Sequence, residues 1–282
     1  MREVNLKLSR DLSFSLNEAP HVLVSGSTGS GKSYLMTGLI DEVMSEYDEV
    51  KFLMIDPKKV EFWKYRYSDS LLLPVMYDMQ CVRSVLSWLV SEVEKRYDWM
   101  RLCGVLKWSE LSDEDRVRYK SDGGSQVRWS GYIVLCVDEL SDLMMYDRSS
   151  ERNEVKIYGR GKDRVKIVIK GKGKIEECLV RIAQKARAAG VHMILATQRP
   201  DAKVLSGLLR VNVPTRICLK VNSVTDSMIG LGVNLGRMSV GEVGEVGEVG
   251  SLGGIRGCHE LLGKGDGILN FGGKCVRFQY EK

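Results

Sequence analysis

Residues Gly26-Ser27-Thr28-Gly29-Ser30-Gly31-Lys32-Ser33 have the types and spacing of a phosphate cradle. Glycines at 26, 29 and 31 let the backbone turn so that successive N–H groups face an anion, and a helix starting there adds its positive N-terminus. In such a P-loop Lys32 reaches the β- and γ-phosphates and the Ser33 hydroxyl holds Mg²⁺. An apolar run (His21 to Val24) precedes the loop and a helical pattern (Tyr34 to Val43) follows it. A chance glycine turn would not need the lysine, the hydroxyl and the strand–loop–helix order together. The segment predicts a nucleoside triphosphate site.

Two further strand ends can complete that chemistry. The apolar run Tyr132 to Val137 ends in Asp138-Glu139. Beside a P-loop, Asp138 would hold the Mg²⁺ shell, and Glu139 would orient and deprotonate a water for in-line attack on the γ-phosphate. Val191 to Leu195 runs into Ala196-Thr197-Gln198-Arg199-Pro200. Gln198 has the donors to sense a γ-phosphate, but a turn set by Pro200 would explain the same residues.

These groups need a scaffold that brings several strand ends to one edge. Strands are predicted near 21–25, 51–56, 132–138, 191–197 and 215–221, with helices over 31–47, 79–103, 176–189 and 203–210. The strands are continuous Val/Ile/Leu runs rather than strict alternations, which predicts a mainly parallel α/β sheet covered by helices on both faces. Nucleotide then belongs at the C-terminal ends of the strands.

Composition excludes other classes. No apolar run in the 282 residues approaches the roughly 20 of a membrane-spanning helix, and Met1 to Leu12 is too polar for a signal peptide. Seven cysteines are scattered without a Cys-x-x-Cys pair, so reduced thiols in a cytoplasmic compartment are expected rather than disulfides or zinc. The net charge of +5 is concentrated: between 155 and 174 lie Lys156, Arg160, Lys162, Arg164, Lys166, Lys170, Lys172 and Lys174 against Asp163 alone.

Three stretches interrupt the α/β rhythm. Residues 104–130 are polar and turn-rich, which predicts an exposed insertion with a short helix. Residues 153–174 alternate apolar and basic residues around Gly159-Arg160-Gly161, which predicts a β-hairpin with one apolar and one positive face. Residues 232–258 hold three Gly-Glu-Val repeats in a glycine-rich context, read as a flexible acidic loop.

Several blocks together resemble the FtsK/SpoIIIE family of DNA-translocating ATPases: Pro20 to Ser25 into the P-loop, Met54-Ile55-Asp56-Pro57-Lys58, Val137 to Met145, Arg181 to Gly190, Leu195 to Pro200, Val213 to Ile217, and Leu261 to Asp266. The resemblance spans most of the chain. It implies a RecA-like motor domain over 1–282 that forms a hexameric ring, encloses double-stranded DNA without sequence specificity and steps along it as ATP is hydrolysed with Mg²⁺. By position, Gly26 to Ser33 bind nucleotide, Ser33 and Asp138 hold the metal, Glu139 activates water and Gln198 is the sensor. Ring motors of this kind take an arginine from the neighbouring subunit; Arg187 and Arg216 are the candidates, with Arg181 and Arg210 behind them.

The resemblance also has departures. Full-length relatives add membrane helices, a domain before the P-loop domain and a winged-helix module. Here the P-loop starts within thirty residues of Met1 and the last matching block is followed by sixteen residues. The expectation is a compact motor core that depends on other proteins for membrane or substrate targeting. The basic hairpin is a second departure. In a RecA-like ring, loops after the catalytic strand tend to face the channel, so Lys156, Arg160, Lys162, Arg164, Lys166, Lys170 and Lys172 are expected to neutralise DNA phosphates. A solvated outer hairpin, or one meeting an acidic partner protein, fits the same charges. Two other cargoes stay open: a single strand carrying a relaxase, as in conjugative coupling, and a protein, as in an assembly or secretion ATPase.

Overall fold

In the computed structural model the described residues are 1–121, 128–147, 156–158, 165–167, 175–234 and 255–281. The chain opens with a small antiparallel pair, β1 (Asn5–Lys7) and β2 (Ser13–Ser15). The main elements then follow as β3 (His21–Ser25), α1 (Lys32–Glu46), β4 (Val50–Ile55), α2 (Met79–Cys103), α3 (Asp113–Ser121), β5 (Tyr132–Val137) and α4 (Leu140–Asp147). After the paired strands β6 (Lys156–Tyr158) and β7 (Val165–Ile167) come α5 (Ile175–Lys185), β8 (Val191–Thr197), α6 (Gly207–Asn212), β9 (Thr215–Leu219), α7 (Val224–Leu231), β10 (Asp266–Phe271) and β11 (Lys274–Gln279).

The central sheet has the order β11-β10-β9-β3-β8-β5-β4. From β9 to β4 neighbouring strands are parallel, so their C-terminal ends line one edge. The pleat sends alternate residues to opposite faces. Leu23, Leu53, Ile55, Leu135, Val137 and Leu195 pack in one core with residues of α2 and α5. Val22, Val24, Met54, Val134, Ile194 and Ile217 pack in the other with α1 and the first strand pair. Every residue of β3, β5 and β8 is buried, which explains why these strands are mostly apolar rather than alternating.

β10 and β11 were not anticipated. They pair antiparallel to each other, and β10 to β9, through a turn at Gly272 (φ 59°) and Gly273 (φ 81°). Two successive positive φ values are what a two-residue type I′ hairpin needs. Phe271-Gly-Gly-Lys274 was the signal for it.

The stretch 104–130 departs from the exposed insertion expected. Among its described residues, Trp108, Leu111 and Tyr119 are buried and pack with Met100 of α2. The fully buried Arg96 of α2 anchors this packing: it donates to the carbonyls of Ala189 (2.8 Å) and Trp129 (2.6 Å) and stacks on Trp108 at 4.4 Å. Glu92 accepts from the Tyr119 hydroxyl at 2.6 Å and lies 3.4 Å from Arg96 Nε. Polarity misled because it describes one side of α3, while two aromatic residues turn inward.

β6 and β7 pair antiparallel with Lys156 opposite Ile167 and Ile157 opposite Lys166. Arg160, Lys162, Arg164, Lys170 and Lys172 lie outside the described residues, as does most of the Gly-Glu-Val region. No helix among the described residues is long and apolar enough to cross a membrane.

Candidate nucleotide site

The five parallel strands bring five segments to one edge. The P-loop leaves β3, flanked by Lys220 after β9 and by Gln198 after β8; Asp138-Glu139 follow β5, and Asp56 follows β4. Sequence separations above 100 residues collapse because β8 lies between β3 and β5.

The loop is fixed from outside. The Gly26 N–H donates to Thr197 O (3.2 Å), and the Ser27 N–H and Oγ donate to Lys220 O (2.8 and 2.9 Å). Gly29 has φ 81° with nothing within 4 Å of where a Cβ would stand. Gly31 has φ 97°, and a Cβ there would meet the Gly265 nitrogen at 2.5 Å. The Gly265 N–H donates to Ser30 O at 2.9 Å, so the turn before β10 braces the loop's outer side. Gly31 also caps α1 without any side chain accepting from the first turn. Uncapped N–H groups at a helix N-terminus are an anion site.

Lys32, Asp138, Glu139 and Gln198 come together as expected. The buried Lys32 Nζ donates to Asp138 O at 3.0 Å and lies 3.4 Å from Asp138 Oδ1. Burial raises the Asp138 carboxyl above its ordinary range; Lys32 opposes this, and the nearby Glu61 and Asp56 add to it. Glu139 Oε1 accepts from Ser141 Oγ (2.8 Å), Thr197 Oγ1 (2.9 Å) and the Gln198 N–H (3.3 Å), while Oε2 lies 3.6 Å from Lys58 Nζ. Burial alone would raise Glu139, but these donors, led by Ser141 and Thr197, hold it below the ordinary range. Gln198 Oε1 accepts from Thr28 Oγ1 at 3.2 Å, so one residue touches both the loop and the Glu139 carboxylate.

Three residues at this edge escaped the sequence reading: Lys58, Glu61 and the role of Asp56. Ser33 Oγ donates to Glu61 Oε1 at 2.5 Å. Asp56 is fully buried, and its Oδ1 has no hydrogen-bond partner. Uncapped amides at the start of α1, a buried lysine paired with Asp138 and an unpartnered buried carboxylate oxygen fit a triphosphate carrying Mg²⁺. Ser33 and Asp138 are the residues that would hold the metal.

The arginine candidates separate. Arg216 is buried, and its guanidinium donates to the carbonyls of Val213 (3.1 Å), Ile229 (3.1 Å) and Arg210 (2.7 Å). Burial, then Arg210, lowers its pKa to about 10. In this chain it braces β9 and α7 from within, its guanidinium turned to three carbonyls of its own backbone. Arg187 is exposed and donates to Asn17 O at 2.8 Å, ahead of β8 and away from the edge that carries its own P-loop. Arg181 is exposed and pairs with Glu177 at 2.7 Å.

This arrangement has relatives. Residues 8–202 match the FtsK/SpoIIIE family across the P-loop, the Asp138-Glu139 strand and Gln198. The chain belongs to the FtsK/SpoIIIE family. The DNA translocase FtsK of Lactococcus lactis subsp. cremoris (strain MG1363) is 38% identical over 223 residues, covering 78% of this chain and 26% of that protein. The FtsK of Streptococcus agalactiae serotype V is 39% identical over 224 residues, covering 79% of this chain and 24% of that one. This FtsK/SpoIIIE chain thus spans about a quarter of the length of the curated relatives it matches. Among solved structures, the pCW3 conjugation coupling protein TcpA with ATPγS superposes with TM-score 0.67 at 23% identity, covering 99% of this chain and 65% of that chain. The cytoplasmic domain of the type VII secretion ATPase EccC from Thermomonospora curvata gives 0.66 at 21%, covering 99% and 28%. At such identity the likeness speaks to the fold, a RecA-like P-loop ATPase core.

Proposed function

We propose that this chain is an ATP-driven motor that assembles as a ring, closed by six copies in the manner its family resemblance implies, and moves double-stranded DNA through the centre. The observation that carries this reading is the contact of Gln198 with both Thr28 and Glu139 in an FtsK/SpoIIIE chain, because it ties the P-loop to the group that would activate water.

In this reading Gly26 to Ser33 wrap the phosphates and Lys32 leaves Asp138 for the β/γ oxygens. Glu139, kept ionised by Ser141, Thr197 and Gln198, accepts a proton from the attacking water. Bound Mg²⁺ would neutralise phosphate charge as it develops. Arg187 is the better placed candidate for an arginine given to a neighbouring copy, being exposed. The basic residues from Lys156 to Lys172 would contact phosphates, with sequence-independent, salt-sensitive affinity.

The test is displacement of a roadblock, a triplex-forming strand bound at one end of a linear duplex. Release that requires ATP and duplex on the approach side supports the proposal. Release only from single-stranded approaches would favour a coupling-type cargo, and ATP hydrolysis without release on any DNA would contradict DNA translocation.

A further inference from the structure

The loop between β4 and the buried Phe62 performs more than a connection. Asp56 Oδ2 accepts from the Phe62 N–H at 3.0 Å, the Lys59 N–H donates to Asp56 O at 3.2 Å, and Lys59 adopts φ 60°. A non-glycine residue in the left-handed region costs free energy and persists where the surroundings impose it. Here the fully buried Phe62 and Asp56 anchor both ends of a tight turn, and the residue just before Phe62 is Glu61. The turn returns the chain to the P-loop, where Glu61 takes the hydrogen of the Ser33 hydroxyl at 2.5 Å.

A serine hydroxyl that binds a cation does so through its oxygen lone pairs, and its hydrogen then needs an acceptor. A carboxylate in that place fixes the hydroxyl's orientation and raises the basicity of its oxygen, as outer partners do for other metal ligands. A second observation is an excess of carboxylates around Asp138. The Asp56 Oδ1 atom is buried without a partner, and Lys32 pairs with Asp138 alone, so the carboxylates of Asp56, Asp138 and Glu61 outnumber the lysine among them. We infer that Glu61 is a positioning residue for the metal ion: it orients Ser33 and adds negative charge behind it, so that nucleotide is held with Mg²⁺ rather than alone. This rests on reading Gly26 to Ser33 as the ATP–Mg²⁺ site.

The test is equilibrium binding of a fluorescent N-methylanthraniloyl-ADP to the full chain, with EDTA and across a Mg²⁺ titration, for wild type, Glu61→Ala and Glu61→Gln. Glu61→Ala should leave affinity in EDTA within about twofold and raise the Mg²⁺ concentration for half-maximal tightening by about 10- to 100-fold. Glu61→Gln retains an acceptor oxygen without the charge and should fall between, at several-fold. It also serves if the alanine variant fails to fold by circular dichroism. A half-saturation unchanged within twofold in the folded variant overturns the inference. So does a lower one, which would mean that Glu61 blocks the metal site. Absence of nucleotide binding by wild type, with or without Mg²⁺, would instead remove the ATP–Mg²⁺ reading on which the inference stands.

Discussion

Replacing Glu139 by glutamine separates chemistry from binding, because the structure shows what each carboxylate oxygen does. Oε1 accepts from Ser141, Thr197 and Gln198, and a glutamine carbonyl oxygen can keep those contacts. The amide nitrogen then replaces Oε2, where it faces the Gln198 N–H (3.2 Å) and Lys58 Nζ (3.6 Å), a donor set against donors. Lys58 is partly exposed and can turn to water, so the cost is one poorly met buried N–H, about 1–2 kcal/mol. For a chain of this size that lowers the melting temperature by only about 2–6 °C. Loss of a general base should reduce turnover by about 10²- to 10⁴-fold. Nucleotide affinity should stay within about threefold, since Lys32 and the cradle amides are untouched. A coupled phosphate-release assay gives kcat, and fluorescent ADP gives the affinity. Turnover within threefold of wild type, in a folded protein that still binds nucleotide, would refute Glu139 as the base.

Three further outcomes follow from buried groups. Arg96→Ala leaves Glu92 and two carbonyls without their partner, and urea unfolding should show a loss of about 3–5 kcal/mol, with unfolding of the 104–121 packing detected by tryptophan fluorescence. Arg216→Ala should lower stability by a similar mechanism, and mixing it with wild type should not restore the variant's own melting temperature, as expected of a brace within one chain. His21 and His192 are buried and held neutral, chiefly by burial, with pKa values lowered to about 3 and about 4. The unfolded chain takes up protons as pH falls through about 6.5, whereas the folded one does so only near those lower values. Their contribution is therefore complete above about 6.5 and is lost as pH falls toward 4, at about 1.4 kcal/mol per pH unit for each histidine. Unfolding free energies at pH 7 and 5 measure this, and His192→Phe should flatten the slope.

The strand–helix alternation was legible because continuous apolar strands and an amphipathic α2 leave a strong period in the sequence. Lys32 was legible from the glycine-rich loop that leads into α1, and Asp138, Glu139 and Gln198 because each follows the end of such a strand. Glu61 and Lys58 were not, because their placement depends on a turn held by Asp56 and on burial of Phe62, neither of which has a local signature. The setting of Arg216 was hidden for a related reason. Its neighbours Pro214, Thr215 and Ile217 mark a strand, but only the tertiary structure shows three carbonyls converging on its guanidinium. The buried aromatics of 104–130 were hidden by the charged residues that surround them, as polarity averaged over a segment conceals which side turns inward.

The most direct test of the motor reading is steady-state ATP hydrolysis by the full chain against duplex length, from about ten to several thousand base pairs at equal total base-pair concentration. A translocating motor spends more of its time moving on long DNA, so turnover should rise with length and level off, and Glu139→Gln should abolish the rise. Turnover equal with and without duplex, at every length, would contradict the account.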